Sequence, residues 1–413
     1  MKYSILFNLE FIQSTKRAAY HGGSENDFTV LLSVLQQIGN NPQWEVFGFF
    51  SPQKSFCHNI NALLVKYFNF RLINNTELKV LSKTKVFTNV YSSNVSSLSW
   101  LNKCQIKSIN SWIVIHGVRS HELKIMIRDI LLPTHWREKT RLIKKCLMRP
   151  LIHQKKQHNL QKRIINRPEQ VKLIATSQDT QNKLLSLCPQ LNYKDIIVLY
   201  TSPKTVTSDS FSSKEESFEK AVLEKFNLVS RQYFLLISLN RAEKNIFFAL
   251  SNLLHLCKTH QLPYKILACG APKNSFSLQR LRKNQNLVIS EYIPAEELEV
   301  LYKHAFVFVY PTRSEGFGMP VLEAMEHGTP VCCSAISPLI ELGGTAADYF
   351  SLENKVEFCS KIIKFHLDPE YYQIKSDLVR KRYQELLNLQ NAHLKRKVEL
   401  ILSIEHCQRE AIN

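Results

Sequence analysis

The sequence predicts an α/β protein with two parallel sheets, each covered by helices on both faces. Short apolar segments of strand length alternate with amphipathic helical segments over residues 1–199, and the same alternation begins again at residue 233. A polar segment rich in Ser and Thr, residues 201–219, separates the two series. This alternation is typical of doubly wound sheets, whose parallel strands are connected by helices. We therefore expect two doubly wound domains in succession.

The individual elements follow from hydrophobic patterning. Continuous apolar runs indicate buried strands, and apolar residues three and four positions apart indicate helices. The predicted strands are Tyr3–Leu9, Trp44–Phe50, Ser111–His116, Val171–Ala175, Ile196–Leu199, Tyr233–Leu239, Tyr264–Ala268, Leu287–Ser290 and Ala305–Tyr310. The predicted helices are 28–38, Gln178–Leu187, Asn245–Cys257 and Pro294–His304. From Glu370 onward the chain is mostly helical, since it has neither Gly nor Pro after Pro369.

These patterns divide the chain into four parts. We expect a first domain over residues 1–205, a linker over 206–228, a second domain over 229–390 and a helical tail over 391–413, which can return to the first domain. In doubly wound sheets, ligands bind beyond the carboxyl ends of the strands. The two domains are therefore expected to face each other across a ligand-binding cleft.

Charge is distributed unequally between these domains. The net charge is +19; residues 1–205 hold 29 Lys and Arg against 11 Asp and Glu, whereas residues 206–413 hold 25 against 24. The segment Arg137–Arg167 contains eleven basic residues and one acidic residue, with apolar residues at helical spacing between them. Such a segment is either the solvated surface of an ordinary helix or a contact to an anionic membrane. It has no nucleic-acid-binding motif, so nucleic acid is not expected as a partner.

Several classes of protein are disfavoured. The longest apolar runs are far shorter than the ~20 residues of a membrane span, and the N-terminal segment has no signal-peptide core. The ten cysteines form no C-x-x-C pair, which favours reduced thiols in a reducing compartment. Neither an Asp-x-Asp nor an H-E-x-x-H motif occurs, and we expect no metal and no cofactor.

The segment 307–331 carries the strongest functional signal. It combines a predicted strand, the glycine loop Gly316-Phe317-Gly318, a helix that begins near Pro320 and another strand. The glycines allow close approach of a ligand, and the free N–H groups of the helix start favour an anion. Glu315 precedes the loop and Glu323 is predicted in the first turn of the helix. These two carboxylates can accept hydrogen bonds from the hydroxyl groups of a polyol.

This segment closely resembles the E-x7-E motif of glycosyltransferase family 4 (glycosyl transferases group 1), whose members are retaining enzymes of the GT-B fold. Glu315, the glycine loop, Leu322–Met325 and Gly328–Val331 all fall in the register of the family. The resemblance implies two Rossmann-like domains that face each other across a cleft. It also implies that Glu315 is catalytic and faces the donor sugar, whereas Glu323 binds ribose. The remaining donor-binding residues that it implies are Gly316, Phe317, Gly318, Met319 and Leu322.

Further likenesses to the family lie outside this segment. Arg241, Lys244 and Asn245 follow the first strand of the second domain, where the family places cations against the donor diphosphate. The resemblance therefore implies that these residues bind substrate. A basic helix start on the protein surface is the alternative for them.

The first domain is less similar to the family. Gly22 and Gly23 look like its N-terminal glycine loop, which implies substrate binding. Ile115–Glu122 resembles the family segment whose histidine lies near the reacting sugar, which implies a catalytic role for His116. A structural role at the end of a strand is the alternative for His116.

These features predict a metal-independent hexosyltransferase that moves a sugar from a nucleotide-sugar donor to a glycan or lipid-linked acceptor, in the synthesis of a surface polysaccharide or glycoconjugate. The first domain is expected to bind the acceptor and to contact an anionic membrane through Arg137–Arg167. The expected location is cytoplasmic, at the periphery of the membrane. Two alternatives remain: a nucleotide-sugar epimerase or phosphorylase of the same fold, and a non-enzymatic protein that binds polyanions or membranes.

Overall fold

The computed structural model describes residues 2–14, 22–56, 60–93, 96–118, 140, 149–204, 215–271 and 284–403. These residues fall into two compact units. The first unit takes the described residues within Met1–Val118, Lys155–Thr207 and Leu387–Asn413, and the second takes those within Arg119–Gln154 and Ser208–Leu386. Each unit contains a large parallel sheet, so the predicted fold class is confirmed.

Fifteen strands lie among the described residues. Those of the first unit are β1 (Tyr3–Asn8), β2 (Gln13–Ser14), β3 (Trp44–Phe49), β4 (Ser55–Phe56), β5 (Phe70–Ile73), β6 (Phe87–Ser93), β7 (Ser108–Ile115), β8 (Val171–Ala175) and β9 (Ile196–Val198). Those of the second are β10 (Tyr233–Leu236), β11 (Lys265–Ala268), β12 (Leu287–Ile289), β13 (Val307–Tyr310), β14 (Val331–Ser334) and β15 (Asp348–Phe350). The two large sheets have the orders β5-β3-β1-β6-β7-β8-β9 and β12-β11-β10-β13-β14-β15, and β2 pairs with β4.

Helices connect these strands. Those before residue 200 are α1 (Gly22–Ile38), α2 (Ile60–Lys66), α3 (Asn75–Thr84), α4 (Ser96–Lys103), α5 (Arg149–Ile165) and α6 (Gln178–Leu187). The later ones are α7 (Glu215–Lys225), α8 (Ile246–Thr259), α9 (Ala295–His304), α10 (Met319–Glu326), α11 (Ser337–Gly343), α12 (Lys355–Leu367) and α13 (Pro369–Leu402). No helix in the described ranges is long and apolar enough to cross a bilayer.

The core of the first unit lies on both faces of its sheet. Ile5 and Phe7 pack with the apolar face of α1, while Leu6 packs on the opposite face with Phe47. Successive residues of a strand point to opposite faces, so a strand buried on both faces reads as a continuous apolar run. This packing is why the run at the N-terminus predicts β1 to within one residue.

The predicted linker 206–228 is partly wrong, because residues 215–225 form helix α7. Val222 on this helix is buried, and Lys225 and Glu219 form ion pairs with Glu297 and Lys303 of α9, at 2.7 and 2.5 Å. The Ser- and Thr-rich residues around the helix hide its short apolar pattern. Residues 205–214 lie outside the described residues.

The C-terminal helix α13 is one unbroken element of 34 residues. Its residues up to Leu386 are counted with the second unit, where the Ser376 hydroxyl donates to the Gly328 carbonyl at 2.7 Å. From Leu387 onward it is counted with the first unit, where Gln390 donates to the Thr201 carbonyl at 2.6 Å. The helical character predicted after Pro369 is therefore confirmed to residue 402.

Candidate active site

The glycine loop before α10 has a backbone that requires glycine. Gly318 has φ +110°, and a Cβ built on it would lie 2.7 Å from Cδ2 of Leu339. Its carbonyl accepts the first bond of the helix, from the Val321 amide at 2.9 Å. The amides of Gly318 and Met319 have no acceptor among the described residues. The start of α10 therefore offers N–H groups and a partial positive charge to an anion.

A buried cluster of Lys244, Tyr310 and Glu315, which we call the donor cluster, lies beside this loop. Lys244 forms an ion pair with Glu315 and donates to the Tyr310 hydroxyl at 2.5 Å, and Tyr310 donates to Oε1 of Glu315 at 2.5 Å. Lys244 and Glu315 are only 3% and 4% exposed. Charges this deeply buried are tolerated because each is paired and hydrogen-bonded. The structure thus brings together two residues that the sequence places 71 positions apart.

The loop that carries Lys244 presents further hydrogen-bond donors. The Arg241 side chain is half-buried and makes no hydrogen bond or ion pair with the described residues. Asn245 adopts a left-handed conformation (φ +53°) at the start of α8, and its Nδ2 is buried with no acceptor in the described part of the chain. Arg313 fixes this loop, since its amide donates to the Glu243 carbonyl at 2.8 Å. Unsatisfied buried donors at a helix start are suited to an anionic group.

Glu323 lies on α10 as its fifth residue, in the second turn rather than in the predicted first turn. Its carboxylate is half-buried and accepts a hydrogen bond from the Tyr302 hydroxyl at 3.0 Å. Burial raises the pKa of Tyr302 well above its usual range, and the neighbouring Glu323 carboxylate raises it further. Tyr302 therefore stays a neutral donor that holds Glu323 in one orientation.

In the first unit, His116 lies with Asp27 and Ser93 in a second cluster, the Asp27 cluster. His116 follows β7, and its Nε2 is 3.3 Å from the Ser93 hydroxyl and 4.0 Å from Oδ1 of Asp27. Ser93, the last residue of β6, donates to the same Asp27 oxygen at 2.6 Å. Gly23 lies against the His116 ring, since a Cβ on it would be 3.5 Å from the imidazole.

Asp27 is almost completely buried and has several hydrogen-bond donors around it. Besides Ser93, Asn26 Nδ2 and the Tyr91 hydroxyl donate to its Oδ1 at 3.1 and 3.3 Å. Burial raises the pKa of Asp27 to about 6, although these donors and Lys397 act in the opposite direction. Burial also raises the pKa of Tyr91. The other Asp27 oxygen, Oδ2, is buried with no hydrogen-bond partner in the described ranges.

Lys397 of α13 lies behind this cluster, fully buried. Its ammonium donates to Oδ1 of Asn26 at 2.9 Å and to the Tyr200 carbonyl at 2.6 Å. Burial lowers the pKa of Lys397 to about 7, against the effect of the Asp27 charge. The last turns of the C-terminal helix are thereby connected to the environment of His116.

A comparison with protein families places the donor cluster in a known domain. Residues 219–377 match the model of the family "Glycosyl transferases group 1". Lys244, Tyr310, Glu315 and Glu323 all lie within this range. The C-terminal part of the chain is a group 1 glycosyltransferase domain. The resemblance that the E-x7-E segment shows to glycosyltransferase family 4 is therefore confirmed.

Curated relatives of the chain include two O-antigen proteins. The chain is 30% identical over 176 residues to O-antigen chain mannosyltransferase B of Escherichia coli, which covers 40% of this chain and 46% of that protein. It is 31% identical over 134 residues to O-antigen chain mannosyltransferase RfbU of Salmonella typhimurium, with coverage of 32% and 37%. The chain thus spans less than half the length of these curated relatives, and the matches are local.

Solved structures resemble the chain over its whole length. WaaG, described as a glycosyltransferase involved in lipopolysaccharide biosynthesis, has a TM-score of 0.62 at 13% identity, covering 97% of this chain and 100% of that one. Sucrose-phosphate synthase of Thermosynechococcus elongatus has a TM-score of 0.65 at 14% identity, with full coverage of both chains. At these identities the likeness shows the fold alone, which is GT-B.

Within the group 1 glycosyltransferase domain, the structure brings Lys244 and Glu315 into contact, and the other predicted donor residues lie on the two loops that carry them or on α10. Phe317 and Leu322 are buried, and Met319, half-buried, is the first residue of α10. Sequence reasoning missed Tyr310 and Tyr302. Tyr310 ends a predicted strand directly before the motif, and that position could have marked it.

In the first unit, one prediction about local structure is wrong. Gly22 and Gly23 begin helix α1 and do not form a loop before it. Asp27 lies four residues beyond Gly23 on the same helix. Residues at this spacing share one face of a helix, so a helix predicted at Gly22 would have placed Asp27 on the face of Gly23. Ser93 could not be found, because no strand was predicted at Phe87–Ser93.

The basic segment Arg137–Arg167 is described at residue 140 and from Arg149 onward; residues 137–139 and 141–148 lie outside the described residues. On α5, Lys155, Lys162 and Arg163 are exposed. Arg167 is instead engaged within the unit, since it donates to Asp195 at 2.9 Å and to the Ile164 carbonyl at 3.0 Å. Its assignment to a free basic surface is therefore wrong.

Proposed function

We propose that this protein is a retaining, metal-independent hexosyltransferase that moves a sugar from a nucleotide-sugar donor to a glycan or lipid-linked acceptor. The observation that carries the proposal is the donor cluster beside the glycine loop of a group 1 glycosyltransferase domain. It places a cation, a hydroxyl and a carboxylate next to a helix start with free amides.

The donor fits this arrangement in three parts. Its diphosphate lies against the start of α10, the Arg241 guanidinium and the Asn245 amide, which stabilise the charge on the departing nucleotide. Its ribose hydroxyls donate to Glu323, which Tyr302 orients. Its sugar hydroxyls donate to Glu315. Because cations and N–H groups of the chain balance the charge of the diphosphate, we propose that the reaction needs no metal ion. We assign no protein nucleophile.

The donor also offers new partners to both charges of the donor cluster. Without ligand, Lys244 and Glu315 neutralise each other. A diphosphate attracts the Lys244 ammonium, and a sugar hydroxyl competes for the Glu315 carboxylate. We infer that donor binding exchanges the internal ion pair for two contacts to substrate. Tyr310 contacts both residues and keeps them in place during this exchange.

The relatives guide the choice of acceptor and sugar. Two of them are O-antigen mannosyltransferases, so we propose a role in surface polysaccharide synthesis, with mannose as the first sugar to test. The N-terminal unit then binds the acceptor near His116.

A nucleotide-sugar panel tests the proposed activity. Uridine and guanosine diphosphates, free and linked to glucose or mannose, are screened by thermal shift. A true donor at 100 times its dissociation constant adds about 2.7 kcal/mol to the stability of the folded state. Nucleotide release is then measured with and without a lipid-linked or short glycan acceptor. Release that does not depend on acceptor, with an epimerised sugar as product, would instead identify an epimerase.

We also propose a cytoplasmic location with peripheral membrane attachment through the basic segment, because Lys155, Lys162 and Arg163 form an exposed basic face on α5. Reversing these three residues to Glu should reduce sedimentation with anionic vesicles and leave activity on a short soluble acceptor intact. The matched control reverses Lys79, Lys83 and Lys103, which are exposed elsewhere in the unit. Equal losses in both triple variants would point to nonspecific attraction by net charge.

A further inference from the structure

The geometry of the Asp27 cluster determines where its protons lie. A serine hydroxyl has a single proton, and a carboxylate can only accept. Because the Ser93 oxygen is 2.6 Å from Oδ1 of Asp27, its proton lies in that short bond. The His116 Nε2, 3.3 Å from the same serine oxygen, must then donate to it. A relay therefore runs from His116 through Ser93 to Asp27.

We propose that Asp27 and Ser93 are positioning residues that hold the proton of the His116 imidazole on Nε2. A neutral imidazole in this state has its lone pair on Nδ1, so at that atom it can accept a hydrogen bond but cannot donate one. The role in transfer rests on the proposed function; the proton position does not.

The surroundings of Asp27 keep this relay in one orientation. Asn26 Oδ1 accepts from the Ser202 amide at 2.9 Å, from the Ser202 hydroxyl at 3.0 Å and from Lys397. These three donors fix the Asn26 amide so that its Nδ2 points to Asp27 and Tyr91. Hydrogen bonds thus connect Lys397 on α13, through Asn26, to Asp27 and so to the relay that ends at His116.

The relay requires an ionised Asp27. Among the described residues, the titratable groups that face Asp27 are Tyr91 on β6, His116 after β7 and Lys397 on α13. Burial places the pKa of Asp27 at about 6, so the carboxylate is ionised at pH 8 and accepts the Ser93 proton there. The position of the His116 proton is accordingly tested at pH 8.

Nuclear magnetic resonance of protein labelled with 15N-histidine tests the relay without any substrate. The His116 signals are assigned with His116→Gln. We expect a slowly exchanging Nε2 proton in the wild type at pH 8, its loss in Ser93→Ala and its return in Ser93→Thr. In Asp27→Asn, the midpoint of the His116 titration should fall by about one pH unit, because a facing negative charge is removed.

The matched control is Ser92→Ala. Ser92 is a buried neighbour on the same strand, but its hydroxyl donates to Ser97 at 2.8 Å. This variant should keep both the Nε2 proton and the titration midpoint. The proposal is overturned if Ser93→Ala keeps the slowly exchanging proton, or if the midpoint is unchanged in Asp27→Asn. Because Ser93→Ala removes one atom, it serves even where Asp27→Asn does not fold.

Activity separates this proposal from the proposed function. Ser93→Ala should lower kcat about tenfold, with nucleoside diphosphate affinity unchanged and activity restored in Ser93→Thr. A wild-type kcat in Ser93→Ala would make the relay purely structural and overturn its role in transfer. If the resonance results are as expected but no sugar is transferred by the wild type to any acceptor, the proposed function fails and the proton position stands.

Discussion

Each unit contains a buried cluster of side chains. The two clusters have similar compositions but differ in whether their charged groups touch. Each combines a basic group, a hydroxyl and a carboxylate: Lys244, Tyr310 and Glu315 in the second unit, His116, Ser93 and Asp27 in the first. In the donor cluster the charged groups touch each other directly. In the Asp27 cluster the imidazole is 4.0 Å from the carboxylate, and the serine lies between them.

Whether the charged groups touch decides how each cluster responds to a ligand and to pH. The donor cluster pairs its two charges and is almost fully buried, so we expect a ligand to separate them only when it replaces both partners. The His116 side chain is 24% exposed, and Asp27 has a pKa near 6. The Asp27 cluster can therefore change its protonation with pH. The first arrangement is suited to binding a charged donor, and the second to orienting a polar hydroxyl.

Both clusters form where two neighbouring parallel strands end. β10 pairs with β13, and their carboxyl ends lead into Lys244 and Glu315. β6 pairs with β7 in a register that sets Ser93 opposite Val114, two residues before His116. Sheet pairing thus determines both sites, which agrees with the general location of ligands in doubly wound sheets.

Breaking the donor cluster should have the largest effect. Glu315→Gln removes the charge but keeps the shape, and it should lower kcat about 100-fold, since hydrogen bonds to a charged group contribute ~1.5–3 kcal/mol. Nucleoside diphosphate affinity, measured by calorimetry, should not fall, because Lys244 remains. Glu296→Gln, an exposed carboxylate on α9, is the control. Equal losses of turnover and affinity would place Glu315 against the nucleotide instead.

The nucleotide part of the site is tested with Glu323→Ala. It should weaken nucleoside diphosphate binding about 10- to 100-fold, because the ribose loses a charged acceptor. Glu326→Ala lies three residues further along the same helix, is exposed, and should bind normally. Unchanged affinity in a folded Glu323→Ala variant would refute the ribose assignment.

The Asp27 cluster should be revealed by pH through its neighbour Lys397. In the folded protein, burial lowers the pKa of Lys397 to about 7 from its ordinary value of 10.5. Between these values the unfolded chain binds more protons, so the free energy of unfolding rises with pH. From pH 7 to 9, wild type should gain about 2 kcal/mol relative to Lys397→Met in chemical denaturation. Parallel pH profiles would show that Lys397 keeps its ordinary pKa.

The smallest expected effect concerns the orientation of Glu323. Tyr302→Phe removes one hydrogen bond, worth about 1 kcal/mol, and should weaken nucleoside diphosphate binding about fivefold with kcat unchanged. The same variant at Tyr233, whose hydroxyl donates to the Leu301 carbonyl at 2.6 Å, controls for the loss of a buried hydroxyl. A lower kcat with normal affinity in Tyr302→Phe would mean that Tyr302 does not act through Glu323.

The elements of the fold also differ in how well the sequence predicts them. Strands β8 and β13 and helix α6 are predicted to within two residues, because they are apolar or strongly periodic. The elements between residues 50 and 108 are not predicted. β6 is the clearest case: its sequence, Phe-Thr-Asn-Val-Tyr-Ser-Ser, is largely polar, yet all seven residues are buried. Its polar side chains find partners that only the folded chain supplies.

The sequence alone determined two doubly wound units and the glycine loop before α10, since hydrophobic periodicity and a contiguous motif are local properties of the chain. It named Glu315, Lys244 and Glu323 but not the tyrosines that hold them. The tertiary structure decided the Asp27 cluster, whose members come from α1, from β6 and from the residue after β7, and the contact of Lys397 with Asn26, 371 positions away. Such contacts depend on strand order, sheet register and the path of the last helix, and no local pattern in the chain encodes these.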